Sequence, residues 1–164
     1  MQAMRMELLQ QMPIFGGIDE SALRLLLEPV PSISVAAGEF FFRERDPAEC
    51  MYVLQSGRVA VLKDWAGREL LLRELGPGDC FGEMALLDLF PRSASVRALD
   101  DCVAMPLTPD HLYRLCKHDA EQFAMIQMNI GREMSRRLRD ADEHLFRATM
   151  GEPRAAPDTA FTTI

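Results

Sequence analysis

Between Val30 and Leu107 the chain is broken by closely spaced turn signals: Ala37-Gly38, Asp46-Pro47, Ser56-Gly57, Ala66-Gly67 and Gly76-Pro77-Gly78-Asp79. The apolar runs between these breaks read as short strands. Met51-Tyr52-Val53-Leu54 and Val59-Ala60-Val61-Leu62 flank Ser56-Gly57 as a hairpin, and Leu70-Leu71-Leu72 precedes the next break. Many short strands at nearly even spacing indicate a sandwich or barrel rather than an α/β sheet. The expected fold class is therefore mainly β with flanking helices (α+β): an antiparallel, jelly-roll-like β-roll over residues 30–108.

Outside that region the period changes. Residues 4–12 are predicted to form a short helix stopped by Pro13. Asp19 is set to cap a helix in which Leu23, Leu26 and Leu27 share a face, ended by Pro29 and Pro31. Thr108 or Asp110 can cap a short helix through Lys117, and Asp119 can start a longer one reaching about Thr149. In the long helix Gln127, Gly131, Met134, Leu138, Ala141, Leu145 and Ala148 recur at spacings of three and four. That seam either packs on the chain's own barrel or pairs with a partner helix, and Gly131, a weak helix former, is a candidate hinge. Residues 1–150 read as one domain, with N-terminal helices at 4–28 and C-terminal helices at 109–149. The two-proline segment 151–164 has no amphipathic period and is expected to be a disordered tail.

A length of 164 residues, 48% of them hydrophobic, suits one domain with a core of its own. The net charge of −7 gives no basic footprint of a nucleic-acid binder. No stretch has the length of a membrane span or the apolar core of a signal peptide, so a cytoplasmic protein is expected, with neither nucleic acid nor membrane as partner. Cys50, Cys80, Cys102 and Cys116 form no Cys-x-x-Cys pair and read as free thiols. His111, His118 and His144 fall on helical stretches without a shared ligand spacing, so no metal site is expected.

The chemistry concentrates between Cys80 and Val96. Gly82 lets the backbone approach a ligand, a short apolar helical turn follows, and the segment closes on Arg92 and Ser93. Amides at the start of a turn and the fork of an arginine together suit a phosphate. A carboxylate in that position is repelled by a phosphate, so Glu83 makes more sense accepting from a sugar hydroxyl held slightly away from it. Taken alone, the same residues are equally well explained as an Arg92–Glu83 ion pair at a surface turn.

Phe-Gly-Glu-Met-Ala-Leu followed by Pro-Arg-Ser-Ala resembles the phosphate-binding cassette of the cyclic nucleotide-binding domain, the module of bacterial cyclic AMP receptor proteins and of kinase regulatory subunits. The resemblance extends from the entry segment Pro13-Ile14-Phe15-Gly16-Gly17-Ile18-Asp19 to about residue 150. It implies that Glu83 binds the ribose 2′-hydroxyl, and that Arg92 and Ser93, with the amides near Gly82 and Ala85, bind the cyclic phosphate. Phe81, Met84 and Ala94 complete the ligand-binding set. Alignment of Arg136-Arg137-Leu138 with the receptor proteins places base contacts near Leu138, Ala141 and Asp142, and Asp142 departs from the family's small hydroxyl residue. At Glu44-Arg45-Asp46 an arginine stands where the family usually has glycine, which implies either a turn of different shape or strain in that turn and leaves the pocket itself unaffected.

The function implied is a stand-alone sensor of a cyclic nucleotide, with cyclic AMP placed ahead of cyclic GMP on family frequency, and no enzyme. Ligand is expected to move the C-terminal helix. Because the family's long helix commonly pairs, a homodimer or a protein partner through that helix is placed first. The alternative is a protein-interaction module that has kept the fold and lost the nucleotide.

Overall fold

The computed structural model describes residues 6, 7, 9–28 and 30–151. Met6, Glu7, Leu9 and Gln10 are helical, whereas residues 4, 5 and 8 of the predicted first helix, and the tail from 152 onward, lie outside the described residues. A short 3-10 turn at Pro13–Phe15 leads to α1 (Glu20–Leu27). Eight strands follow: β1 (Ile33–Val35), β2 (Phe40–Phe42), β3 (Met51–Ser56), β4 (Val59–Trp65), β5 (Arg68–Leu75), β6 (Cys80–Phe81), β7 (Ser95–Ala98) and β8 (Cys102–Leu107). The chain then forms α2 (Pro109–His118) and α3 (Ala120–Thr149).

The strands form two antiparallel four-stranded sheets, ordered β1-β8-β3-β6 and β2-β7-β4-β5. Their connections follow the turn residues. Trp65 faces Arg68 across Ala66 and Gly67, both of positive φ, as a two-residue hairpin loop requires. Period-2 alternation divides the apolar residues of β3 and β8 between two cores. Met51, Val53, Met105 and Leu107 pack against the helices with Leu23, Leu26, Leu112, Leu115, Ile126 and Ile130. Leu54, Ala104 and Cys102 point the other way, into the roll, where they meet Val59, Leu75, Phe81 and Val96. Because both faces of β3 are covered, Met51-Tyr52-Val53-Leu54 is a continuous apolar run rather than an alternating one.

The helices begin where their caps are. The Asp19 carboxylate accepts from Ala22 N at 2.7 Å, and that of Asp119 from Glu121 N and Gln122 N at 3.1 and 3.0 Å. Of the two candidates for α2, Thr108 is the cap, and its N–H donates to His111 Nδ1 at 3.0 Å in a capping box.

One expectation about α3 needs correction. The helix is continuous through Gly131, so no break marks a hinge there. Its buried face is Ile126, Asn129, Ile130 and Glu133; of the seam that was expected to pack on the barrel or to pair with a partner helix, Gly131, Leu138, Ala141, Leu145 and Ala148 are exposed. Asn129 anchors the entry segment by donating to Ile14 O at 3.1 Å and Gly16 O at 2.9 Å.

Candidate functional site

The stretch after β6 turns sharply because Gly82 adopts a left-handed conformation, φ 74°. A Cβ there would also lie 2.5 Å from Arg92 Nη1, so glycine is needed for the space as well as the backbone angle. The 3-10 turn Glu83–Leu86 follows. Within it Ala85 N donates to Gly82 O at 3.1 Å, so this amide is engaged by its own turn.

Arg92 is 7% exposed. Its guanidinium lies 3.9 Å from the Phe42 ring centroid, and Nη1 donates to Gly82 O at 3.3 Å. Phe42 belongs to an aromatic cluster with Phe41, Tyr52 and Phe81, which gives the arginine a rigid bed. The backbone of Arg92 is clamped from the β2–β3 connection: Arg45 N donates to Arg92 O at 2.8 Å, and Arg92 N donates to Asp46 O at 2.9 Å. Arg45 does this at φ 73°. Of the two outcomes expected for that turn, strain is the one present, and the turn, which was expected to leave the pocket unaffected, holds the main chain of the cassette arginine.

Glu83 is 5% exposed and does not pair with Arg92. Its Oε1 accepts from Arg137 Nη1 at 2.5 Å. Arg137, on α3, also donates to Cys80 O at 2.7 Å and to Glu133 Oε1 at 3.0 Å, and Arg136 donates to the other oxygen of Glu133. Burial opposes the charge of Arg137, but Glu83, Cys80 and Glu133 around it outweigh that penalty and raise its pKa. Burial pushes the Cys80 thiol up to about 12, which makes it an inert member of this cluster. Glu83 Oε2 and Arg92 Nε are buried and have no hydrogen-bond partner among the described residues.

Both side chains line one cavity of about 370 Å³, within the size range of small-ligand pockets. Phe81, Gly82, Met84, Ala85, Ser93 and Ala94 also line it, so the whole expected cassette converges on a single space. Ser93 Oγ donates to Met84 Sδ at 3.6 Å, and Ser93 O accepts from Lys63 Nζ at 2.6 Å. Lys63 is further held by Glu44 at 2.7 Å. Leu138, Ala141 and Asp142 do not line the cavity and are exposed on α3.

Three cations in the lining were not foreseen: Lys63, Arg73 and Arg137. Period 2 in β4 puts Lys63 on the same face as Val61, and Arg73 is Val61's neighbour across β5, so strand alternation was the available signal for both. No local signal separates Arg137 from Arg132, Arg136 and Arg139, because only the docking of the helix selects it. Among the described residues no group of three or more histidine, cysteine, aspartate or glutamate side chains could hold a metal ion, and no helix is long and apolar enough to cross a membrane.

The profile of the family described as the cyclic nucleotide-binding domain matches residues 32–119, which contain the eight strands and the cassette. The chain belongs to that family. This cyclic nucleotide-binding domain is 30% identical over 140 residues to the CRP-like cAMP-activated global transcriptional regulator of Mycobacterium tuberculosis, covering 85% of this chain and 61% of that protein. The crystal structure of Thermus thermophilus catabolite activator protein superimposes with a TM-score of 0.73 at 30% identity, over 84% of this chain and 63% of that one. The regulatory domain of Toxoplasma gondii PKA, crystallised with cAMP, gives 0.64 at 32% identity, over 70% and 44%. The chain spans about three-fifths of the length of the first curated relatives it matches.

Proposed function

We propose that this domain is a regulatory module that binds a 3′,5′-cyclic nucleotide between Arg92 and Glu83 and relays its presence through α3. One observation carries the reading. Two buried atoms of opposite character, Arg92 Nε and Glu83 Oε2, have no hydrogen-bond partner among the described residues, and their side chains line the same cavity. A buried unpaired polar atom is costly, and a ligand bearing an anion beside a hydroxyl satisfies both. Ser93 at the rim adds a hydroxyl donor for the phosphate, and the names of the relatives point to the same ligand class.

Output follows from Arg137. A sugar hydroxyl donating to Glu83 Oε2 binds the same carboxylate whose Oε1 Arg137 holds, so ligand acts on α3 through one side chain. The bound and free states then differ in their contacts with the helix, as any ligand-driven shift requires. The uncovered half of α3, with Leu138, Leu145 and Phe146 more than 60% exposed, is the surface on which a second copy or a protein partner would read that shift. The open cavity with Glu83 and Arg92 in its lining favours this reading over a module that has kept the fold and lost its ligand.

Calorimetric titration of the 164-residue chain with cyclic AMP and cyclic GMP tests the reading. Saturable one-site binding abolished or strongly weakened by Arg92→Ala is expected. Absence of binding by either nucleotide overturns it.

A further inference from the structure

Ser93 stands at the rim of the cavity with its carbonyl and its hydroxyl held by different partners. The carbonyl oxygen accepts from Lys63 Nζ at 2.6 Å, and Lys63 is fixed in turn by Glu44, so the main chain is tied down at this point. The hydroxyl donates to Met84 Sδ at 3.6 Å. A thioether sulfur is a weak acceptor. The hydroxyl is therefore held without being locked, and a phosphate oxygen, a charged acceptor, takes it over easily.

Met84 is 40% exposed and lines the cavity beside Arg92 and Ser93. Among the described residues it is the methionine in that lining. Met12, Met51 and Met105 are buried in the core under the helices, whereas Met128 and Met150 are more exposed than Met84 and lie away from the cavity. Met84 thus combines access from solvent with a sulfur that touches a ligand-binding hydroxyl.

We propose that Met84 is an oxidation site through which a peroxide lowers the affinity of the domain for its nucleotide. The inference rests on the nucleotide reading and adds a regulation to it. In the step, a sulfur lone pair attacks one oxygen of hydrogen peroxide, the S–O bond forms as the O–O bond breaks, and the other oxygen leaves as water after a proton shift. Sulfur loses two electrons and the peroxide gains them, so the product is methionine sulfoxide. The polar sulfoxide oxygen is a much better acceptor than the thioether, and it acts twice in the same direction. It retains the Ser93 hydroxyl that the phosphate would take, and it brings partial negative charge into the space beside Arg92 where an anion has to sit. Reduction back to the thioether reverses both effects.

The test is calorimetry of the 164-residue chain with cyclic AMP and cyclic GMP, before and after a dose of hydrogen peroxide at which peptide mass spectrometry finds Met84 oxidised and Met51 and Met105 intact. Oxidation is expected to weaken both nucleotides by the same factor, about tenfold, because the phosphate contact is common to them. Treatment with methionine sulfoxide reductases A and B, one for each sulfoxide epimer, is expected to restore the native affinity. Met84→Leu, whatever its own affinity, is expected to bind equally before and after peroxide. Because each chain is compared with itself, a change in packing caused by the leucine does not imitate that result. An oxidised native chain of unchanged affinity, or a Met84→Leu chain that loses as much affinity to peroxide as the native one, overturns the inference while leaving the nucleotide reading intact. Failure of the untreated native chain to bind either nucleotide overturns both.

Discussion

At the scale of single residues the site depends on one arginine and on what keeps it still. Arg92 lies on Phe42, under Gly82 and between two backbone hydrogen bonds from residues 45 and 46. Charge-assisted bonds to a phosphate make Arg92→Ala cost about 1.5 to 3 kcal/mol of binding, roughly tenfold to a hundredfold in affinity, and titration reads this directly. Arg92→Lys should recover only part, because an ammonium has neither the fork nor the flat face that rests on Phe42. Arg45 gives a second expectation. A non-glycine residue in the left-handed region costs about 1–2 kcal/mol, and glycine there costs roughly 0.5–1 kcal/mol in added unfolded-state freedom, so Arg45→Gly should be net stabilising by up to about 1.5 kcal/mol. A rise in the denaturant midpoint with the slope unchanged is the expected result, and a fall would mean the turn carries no strain. The cassette residues were legible in the sequence because the chain delivers them consecutively, from Phe81 to Ala94. Arg73 was within reach only through strand alternation across the β4–β5 hairpin, and Arg137 was not legible at all, because it reaches the cavity from a distant helix whose docking no local pattern encodes.

At the scale of elements, start signals were legible and faces were less so. Asp19 and Asp119 cap the helices they were expected to cap, and Thr108, one of two candidates, caps α2, because capping is a local bond between a side chain and the next turn. The long helix carries two apolar stripes, Ile126 with Ile130 and Leu138 with Leu145, and sequence spacing does not say which one the barrel covers. The structure covers the first, whose N-terminal position puts it over Leu115 and the entry segment. The capping box of α2 also makes a pH prediction. Burial, then Arg114, holds His111 below its ordinary value of 6.5, in keeping with a neutral ring that accepts from Thr108 N. A histidine with a depressed folded pKa contributes stability that is full above the unfolded value and lost as pH falls through the folded one. Thermal stability should therefore decline below about pH 6.5. His111→Gln, which can still accept at the same capping position, should flatten that part of the profile, and an unchanged slope in the variant would assign the decline to other groups.

At the scale of the whole molecule, Arg137 makes the polar contacts between the roll and α3 that matter for the site. It ties Glu83 and Cys80 O of the roll to Glu133 of α3. With a net charge of −7, the 164 residues should show no salt-dependent association with duplex DNA, with or without nucleotide, and a mobility shift with a steep salt slope would contradict this. The coupling itself makes the last prediction. Saturating cyclic nucleotide should slow amide exchange in residues 80–96, where the ligand sits, and also in residues 134–145, beyond the bridge. Removing Arg137 leaves Glu83 buried without its cation and Glu133 with Arg136 alone, which should destabilise the fold by about 3–5 kcal/mol, so loss of the distant effect in Arg137→Gln is ambiguous alone. Arg139→Gln supplies the control, because it removes the same charge from an exposed position two residues away on the same helix. The distant protection should survive in Arg139→Gln and disappear in Arg137→Gln, while protection of the cassette persists in both at nucleotide concentrations raised to saturation. Protection confined to residues 80–96 in the native chain would mean that the pocket binds without acting on α3, and the switch would then lie in another element.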